Sequence, residues 1–142
     1  MPRYLLIVDF QPGDDSTPME EWAPAEVDAH LAYYTELNRT LAASGELVGG
    51  EILTGPDEAR VVRSDGKAAR VTEGPFSEIS EWVAGYQIVS VPTRERALEI
   101  AALVSAVPGR GGVPLAQPVT VRRILDDGPA DSEEMADWLR TV

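Results

Sequence analysis

The chain has 142 residues, of which 44% are hydrophobic, and this is enough to build the core of one ordinary domain. Its 24 acidic and 12 basic side chains give a net charge of -12, which argues against nucleic acid and anionic membrane surfaces as partners. The sequence contains no cysteine, which excludes disulfides, thiolate metal ligands and cysteine nucleophiles.

The apolar segments of the chain are short. The run near the amino terminus is too short for a signal peptide, and no other run approaches the roughly 20 apolar residues that span a bilayer. Because a cysteine-free composition also suits a reducing compartment, we expect a cytoplasmic protein that does not enter a membrane.

The first part of the chain predicts a strand, a helix and a second strand. Residues 4–10 are aliphatic and aromatic enough for a buried strand, which Pro and Gly then end. From Pro24 the apolar residues recur every three or four positions, which predicts a helix that buries one face and stops at Gly45. The segment ELVGGEIL follows as a strand. The predicted buried stripe of the helix consists of Val27, Leu31, Tyr34, Leu37 and Leu41.

The middle of the chain predicts a hairpin and then a central strand. Asp65-Gly66 separates two apolar segments, and this dipeptide favours the positive φ angles of a tight hairpin turn. The run WVAGYQIVSV, residues 82–91, is largely apolar on both of its alternating faces. That pattern is typical of a strand inside a sheet.

The last part predicts a helix, a strand and a tail. Thr93 is a good cap for a helix with Ile100 and Val104 on one face, and VTVRRIL predicts the last strand. We therefore place a domain at residues 1–125 and an acidic tail with a short helix at 126–142. Since that helix has Trp138 on its apolar side, we expect the tail to dock on the body or on a partner subunit.

This order of elements predicts an α+β fold with a ferredoxin-like antiparallel sheet and helices on one face. One layer of helices leaves the other apolar face of the sheet uncovered. We therefore expect a homodimer in which two sheets meet, because large exposed apolar patches usually mark interfaces.

The segment VTEGPFSEISEWVAGYQIVSV, preceded by SDGKAARV and by LAASGELVGGEIL, resembles the YCII-related proteins over residues 3–125. Within that family it is similar to the subgroup named for an Asp-Gly-Pro-Phe motif, which is Glu73-Gly74-Pro75-Phe76 here. The resemblance implies a ferredoxin-like α+β fold that dimerises into an α/β barrel, as in enzymes of the muconolactone isomerase type.

The family resemblance also implies a cleft with a His-Asp pair in some relatives, and this chain departs from that pair. His30 is the one histidine, and it lies about one helical turn before the position where the catalytic His aligns. Tyr34 occupies that position, and Glu73 replaces the Asp of the motif. Of the family's frequent Glu-Val-Arg-Pro, Arg122 carries over. The pair therefore does not transfer unchanged.

Two residues are candidates for acid/base catalysis. His30 lies on the apolar stripe of the first helix, where its imidazole could serve as a base near neutral pH. The alternative is a core or interface histidine that makes one hydrogen bond. Glu73 precedes a Gly-Pro turn that would hold its carboxylate in place for proton exchange with a ligand. The alternative is that it caps backbone N–H groups.

Three further residues are candidates for binding a substrate. Arg122 could bind an anionic group, or it could pair with one of the many carboxylates. Tyr34 could stack on an aromatic ligand or pack in the core, and Asp9 could be a further acid or simply begin a loop. With one histidine and no cysteine we predict no metal site, and without nucleotide or phosphate motifs we predict no cofactor.

Two functions remain open. The first is a homodimer that binds a small, partly apolar molecule and performs acid/base chemistry of an isomerase or lyase type. The second is a non-catalytic module that binds a ligand or a protein, as the family's frequent association with transcription regulators implies. In a third interpretation the acidic tail is an arm that crosses the dimer.

Overall fold

The computed structural model describes residues 1–10, 17–73 and 82–141. The strands, helices and hairpin predicted for these ranges are confirmed, whereas Gly74, Pro75 and Phe76 of the motif lie outside them. In chain order the described strands and α-helices are β1 Arg3–Phe10, α1 Pro24–Ala43, β2 Leu47–Ile52, β3 Arg60–Ser64, β4 Ala69–Glu73, β5 Trp82–Ser90, α2 Arg94–Ser105, β6 Val119–Arg123 and α3 Ser132–Thr141.

Four of the strands form one antiparallel sheet in the order β2-β5-β1-β6. The run predicted to be a central strand is β5, which pairs with β2 on one side and β1 on the other. On β1, Leu6 lies opposite Gln87 of β5 and Val121 of β6. This topology is compatible with a ferredoxin-like α+β fold.

Both long helices pack on the same face of this sheet. Tyr4, Leu6 and Val89 point to that face, where they cluster with Leu41 of α1 and Ile100 of α2. Since neighbouring residues of a strand point to opposite faces, α1 and α2 leave the other face uncovered. We call it the open face, and its residues are Leu5, Ile7, Tyr86, Ile88, Thr120 and Arg122.

The predicted buried stripe of α1 is buried or half-buried at every position except one. His30 and Leu41 are buried, whereas Leu31 is 53% exposed. Because successive residues turn by about 100° around a helix, Leu31 lies roughly a quarter turn from the centre of the buried side. The helix ends as predicted before Gly45, whose φ of 79° gives the left-handed conformation of a helix stop.

Polar side chains hold the helices to the sheet and to each other. The guanidinium of Arg96 in α2 donates two hydrogen bonds to the carboxylate of Glu46, at 2.6 and 3.0 Å, next to the start of β2. These bonds and one from Ser44 lower the pKa of Glu46. Tyr33 of α1 donates to the carbonyl oxygen of Leu103 in α2 at 2.6 Å. α2 itself begins at the predicted cap, because Thr93 Oγ1 accepts the N–H of Arg96.

The strands β3 and β4 form a two-stranded sheet of their own, and all of their residues are exposed. The hairpin turns at the predicted Asp65-Gly66, but the loop between the paired Ser64 and Ala69 has four residues, and only Gly66 of the dipeptide has a positive φ, at 89°. Asp65 Oδ1 accepts the N–H groups of Ala68 and Lys67, each at 2.9 Å, and these bonds lower the pKa of Asp65. Hydrogen bonds within the turn itself therefore stabilise the hairpin.

The tail forms the predicted helix with the predicted cap. Asp131 Oδ1 accepts the N–H of Glu134 at 2.9 Å, and the Glu134 carboxylate accepts the N–H of Ala130 at 2.8 Å. No residue of α3 is buried. Within the described ranges, no helix is both long enough and apolar enough to cross a membrane.

Candidate functional site

His30 lies on the buried side of α1 and is held by one hydrogen bond. Its Nδ1 is 3.0 Å from the carbonyl oxygen of Pro108, in the segment that follows α2. Because a carbonyl oxygen can only accept, Nδ1 carries the hydrogen and donates it. In the neutral imidazole Nε2 is then the acceptor. This bond therefore fixes both the orientation and the tautomer of His30.

Two aromatic rings contact the edge or face of this imidazole. The ring of Trp22 is 5.7 Å from it and that of Tyr34 is 5.3 Å from it, between centroids, and both are T-shaped. Burial raises the pKa of Tyr34, with a smaller contribution from Tyr33. The Tyr34 hydroxyl is therefore protonated at neutral pH and is available as a donor. We call Trp22, His30 and Tyr34 the aromatic cluster.

Glu73 occupies a different part of the molecule. It ends β4 in the separate hairpin, directly opposite Arg60, and its carboxylate is exposed. The Arg60 guanidinium lies 3.6 Å from Glu73 Oε1. Among the described contacts, none joins Glu73 to His30 or Tyr34. The predicted pairing of His30 with Glu73 as base and acid stays a prediction.

Asp9 and Arg122 both lie on the open face. Asp9 is the second-last residue of β1, and its carboxylate accepts a hydrogen bond of 3.3 Å from the Thr120 hydroxyl of β6. Arg122 lies opposite Leu5 and is exposed, and no ion pair joins it to a carboxylate in the described part of the chain. Since Thr120 lies opposite Ile7, these two charged residues flank apolar residues of the open face.

The five predicted site residues therefore fall into three places. His30 and Tyr34 meet in the aromatic cluster, Asp9 and Arg122 share the open face, and Glu73 lies on the hairpin. Tyr34 keeps both of its open roles. Asp9 lies within β1, opposite Val83, and so does not begin the loop, while its role as a further acid stays a prediction.

Two surface depressions lie near these places. One of about 460 Å³ lies at the start of α1 and includes Trp22, so it reaches the outer side of the aromatic cluster. The other, of about 370 Å³, lies at the root of the hairpin and includes Trp82 and Val61. Neither His30 nor Glu73 lines either depression. His30 and Glu73 are therefore not brought together by either of these two depressions.

Sequence reasoning missed two partners of His30. The signal for Trp22 is that an aromatic residue eight positions before His30, just ahead of a helix that starts at Pro24, is within reach of the first turns of that helix. Its indole N–H donates to the carbonyl oxygen of Thr17 at 3.0 Å, which fixes the ring. Pro108 has no comparable signal, since it is 78 residues from His30 in the chain.

These features define an α+β protein with a four-stranded antiparallel sheet, one face of which α1 and α2 leave uncovered. No protein-family model matches the chain, and a search of curated proteins also finds no match. The resemblance to YCII-related proteins and the roles of the site residues therefore stay predictions.

The bond between His30 and Pro108 makes a prediction about stability. His30→Ala removes the donor and leaves the Pro108 carbonyl unpaired, so we expect a loss of about 1–3 kcal/mol in the free energy of unfolding. His30→Asn keeps an N–H donor near the position of Nδ1, so we expect a smaller loss. Urea denaturation of both variants measures the difference, and equal losses would mean that the Nδ1 bond contributes nothing.

Proposed function

We propose that the protein is a YCII-related homodimer that binds a small, partly apolar molecule. Two copies would join through the open faces of their sheets into a dimeric α/β barrel. The observation that carries this proposal is the position of α1 and α2, which both pack on the Tyr4 face and leave Leu5, Ile7 and Ile88 on the other. A second copy would remove that apolar surface from water.

The residues around the apolar part of the open face support a ligand of mixed character. Leu5, Ile7 and the ring of Tyr86 offer apolar contact, and Arg122 adds one cation that no described carboxylate neutralises. An arginine binds a carboxylate or similar anion with two parallel hydrogen bonds. We therefore propose an aromatic or aliphatic carboxylate as the ligand class, bound inside the barrel between the two open faces. The cysteine-free composition suits the cytoplasm as its compartment.

The geometry favours binding over catalysis by the predicted pair. A proton-transfer pair must reach one ligand together, at hydrogen-bond distance or through one water. His30 is buried beside Pro108, whereas Glu73 is exposed beside Arg60 in a separate sheet. A non-catalytic binding module does not require His30 and Glu73 to reach the same ligand.

Acid/base chemistry at His30 is a second candidate, and one observation supports it. With Nδ1 donating to Pro108, Nε2 is left as an acceptor, and no described residue donates to it. That nitrogen would take a proton from a ligand, and the protonated Tyr34 hydroxyl beside the ring would donate a hydrogen bond. Such a site suits isomerisation or elimination, with Glu73 as the predicted partner acid.

The homodimer predicts a change of mass in one variant. Ile88→Arg places a charge within the proposed interface, so we expect this variant to sediment as a single 15.3 kDa chain while the wild type sediments as a dimer. Leu98→Arg is the matched control, because Leu98 is exposed on α2, away from the open face. Equal sedimentation of the two variants and the wild type would contradict the interface.

The ligand class predicts a difference between adjacent arginines. Naphthoate, an aromatic carboxylate, should bind the wild type, and Arg122→Gln should weaken it by about tenfold or more, as for the loss of a charge-assisted hydrogen bond. Arg123→Gln is the control, because Arg123 points to the opposite face of β6. Calorimetric titration measures both constants. No binding, or equal weakening in the two variants, would contradict the proposed site.

The acid/base candidate predicts proton exchange on a suitable probe. In D2O, the wild type should speed exchange of the ring hydrogen of a small enol lactone, followed by NMR. His30→Asn should slow it by about 100-fold, as for the loss of a general base, and Glu73→Gln should slow it as much if Glu73 is the partner acid. Glu58→Gln, an exposed acid, is the control. No acceleration, or unchanged rates in both variants, would contradict the acid/base candidate, and ligand binding would then be the one proposed function that stands.

A further inference from the structure

The β3–β4 hairpin carries two arginines side by side. Arg63 of β3 and Arg70 of β4 lie directly opposite each other, so their side chains point to the same face of the hairpin. Like charges in that arrangement are destabilising. Both residues are exposed, and within the described part of the chain no carboxylate forms an ion pair with either of them. We call them the arginine pair.

The same face of the hairpin leads to the depression at its root. Val61 lies two residues before Arg63, so both side chains point to one face, about 7 Å apart along the strand. Val61 lines the depression of about 370 Å³. Val62 and Val71 point to the opposite face. The depression and the arginine pair are therefore neighbours on one side of the hairpin.

The depression itself is apolar. Of the described residues that line it, none is charged, and only Thr54 and Trp82 have a polar atom in the side chain. The ring of Trp82 stacks on that of Phe10, with centroids 4.4 Å apart and planes inclined by 28°, so the indole is held in place. A fixed indole beside aliphatic groups favours contact with another flat apolar ring.

The arginine pair determines the charge of the matching ligand. A phosphate monoester carries a charge of about -1.5 to -2 at neutral pH and has three acceptor oxygens, so it can neutralise two guanidinium groups at once. The net charge of -12 opposes any anion. At physiological ionic strength, however, charges more than about 8 Å away are largely screened, so the nearby arginines decide.

We propose that the depression and the arginine pair together bind a phosphate monoester that has an aromatic body. The ring lies in the depression beside Trp82, and the phosphate accepts hydrogen bonds from Arg63 and Arg70, whose long stems bring their charged ends to it. This site differs from the carboxylate site proposed on the open face. It does not rest on the homodimer, because one chain supplies all of these residues.

Calorimetric titration of the full-length protein with 1-naphthyl phosphate tests the charge part of the site. Arg63→Gln with Arg70→Gln should weaken binding by about tenfold or more, as for the loss of charge-assisted hydrogen bonds. The matched control is Arg39→Gln with Arg140→Gln, which removes the same charge from exposed positions on α1 and α3. Equal weakening in both double variants would mean that net charge alone acts, and would overturn the proposal.

The stability of the hairpin variant separates lost binding from lost folding. Because Arg63→Gln with Arg70→Gln removes two repelling charges, we expect its midpoint of urea denaturation to be no lower than that of the wild type. Weaker binding by a variant of unchanged stability then reports the site itself.

A ligand series tests the apolar part. The second ring of 1-naphthyl phosphate should raise affinity about fivefold over phenyl phosphate, as for roughly 40 Å² more buried apolar surface. 1-Naphthol lacks the phosphate and should bind at least about tenfold more weakly. If inorganic phosphate binds as tightly as 1-naphthyl phosphate, the depression takes no part and the proposal is wrong.

Hydrogen exchange locates the bound ligand. A two-stranded hairpin is marginally stable in water, so 1-naphthyl phosphate should slow exchange of the backbone amides of residues 60–73. Slowing confined to β1 and β6 would place the ligand on the open face instead. That result, or no binding to the wild type at millimolar concentration, would overturn the inference.

Discussion

The rest of the structure depends on one constraint, which is that the four-stranded sheet is apolar on both faces while α1 and α2 cover only one. Tyr4, Leu6 and Val89 are buried beneath these helices, and the alternate residues of the same strands point the other way. Burial of apolar surface is the main favourable contribution to folding and association. We therefore propose that a second copy covers the open face, and the proposed ligand site depends on that arrangement.

The polar residues fall into two groups, those that hold the elements together and those that we propose to bind a ligand. The bonds from Arg96 to Glu46 and from His30 to Pro108 join elements that are distant in the chain, so they support the helix layer. Arg122, by contrast, has no described carboxylate partner and lies on the face that we propose as the dimer interface. Nδ1 of the single histidine supports the fold through its bond to Pro108, so only Nε2 is left to accept a proton.

Much of the fold could be predicted from the sequence because local signals agree with it. The Asp65-Gly66 turn, the Thr93 cap and the apolar period of α1 each depend on neighbouring residues, and each is found in the structure. Leu31 was placed wrongly, because its spacing fits the stripe but its angle lies at the edge of the buried side. Contacts between distant segments have no such signal. His30 was predicted to face inwards, but neither its carbonyl partner nor the distance of Glu73 from the cluster could be deduced from spacing.

The most direct test is the mass of the unmodified protein in solution. Sedimentation equilibrium over a range of concentrations from nanomolar to micromolar reports the mass without any substitution. A covered open face predicts a species of twice 15.3 kDa that dissociates only on dilution. A constant mass of 15.3 kDa at every concentration would mean that the uncovered face of the sheet tolerates water, and the proposed dimer would be wrong.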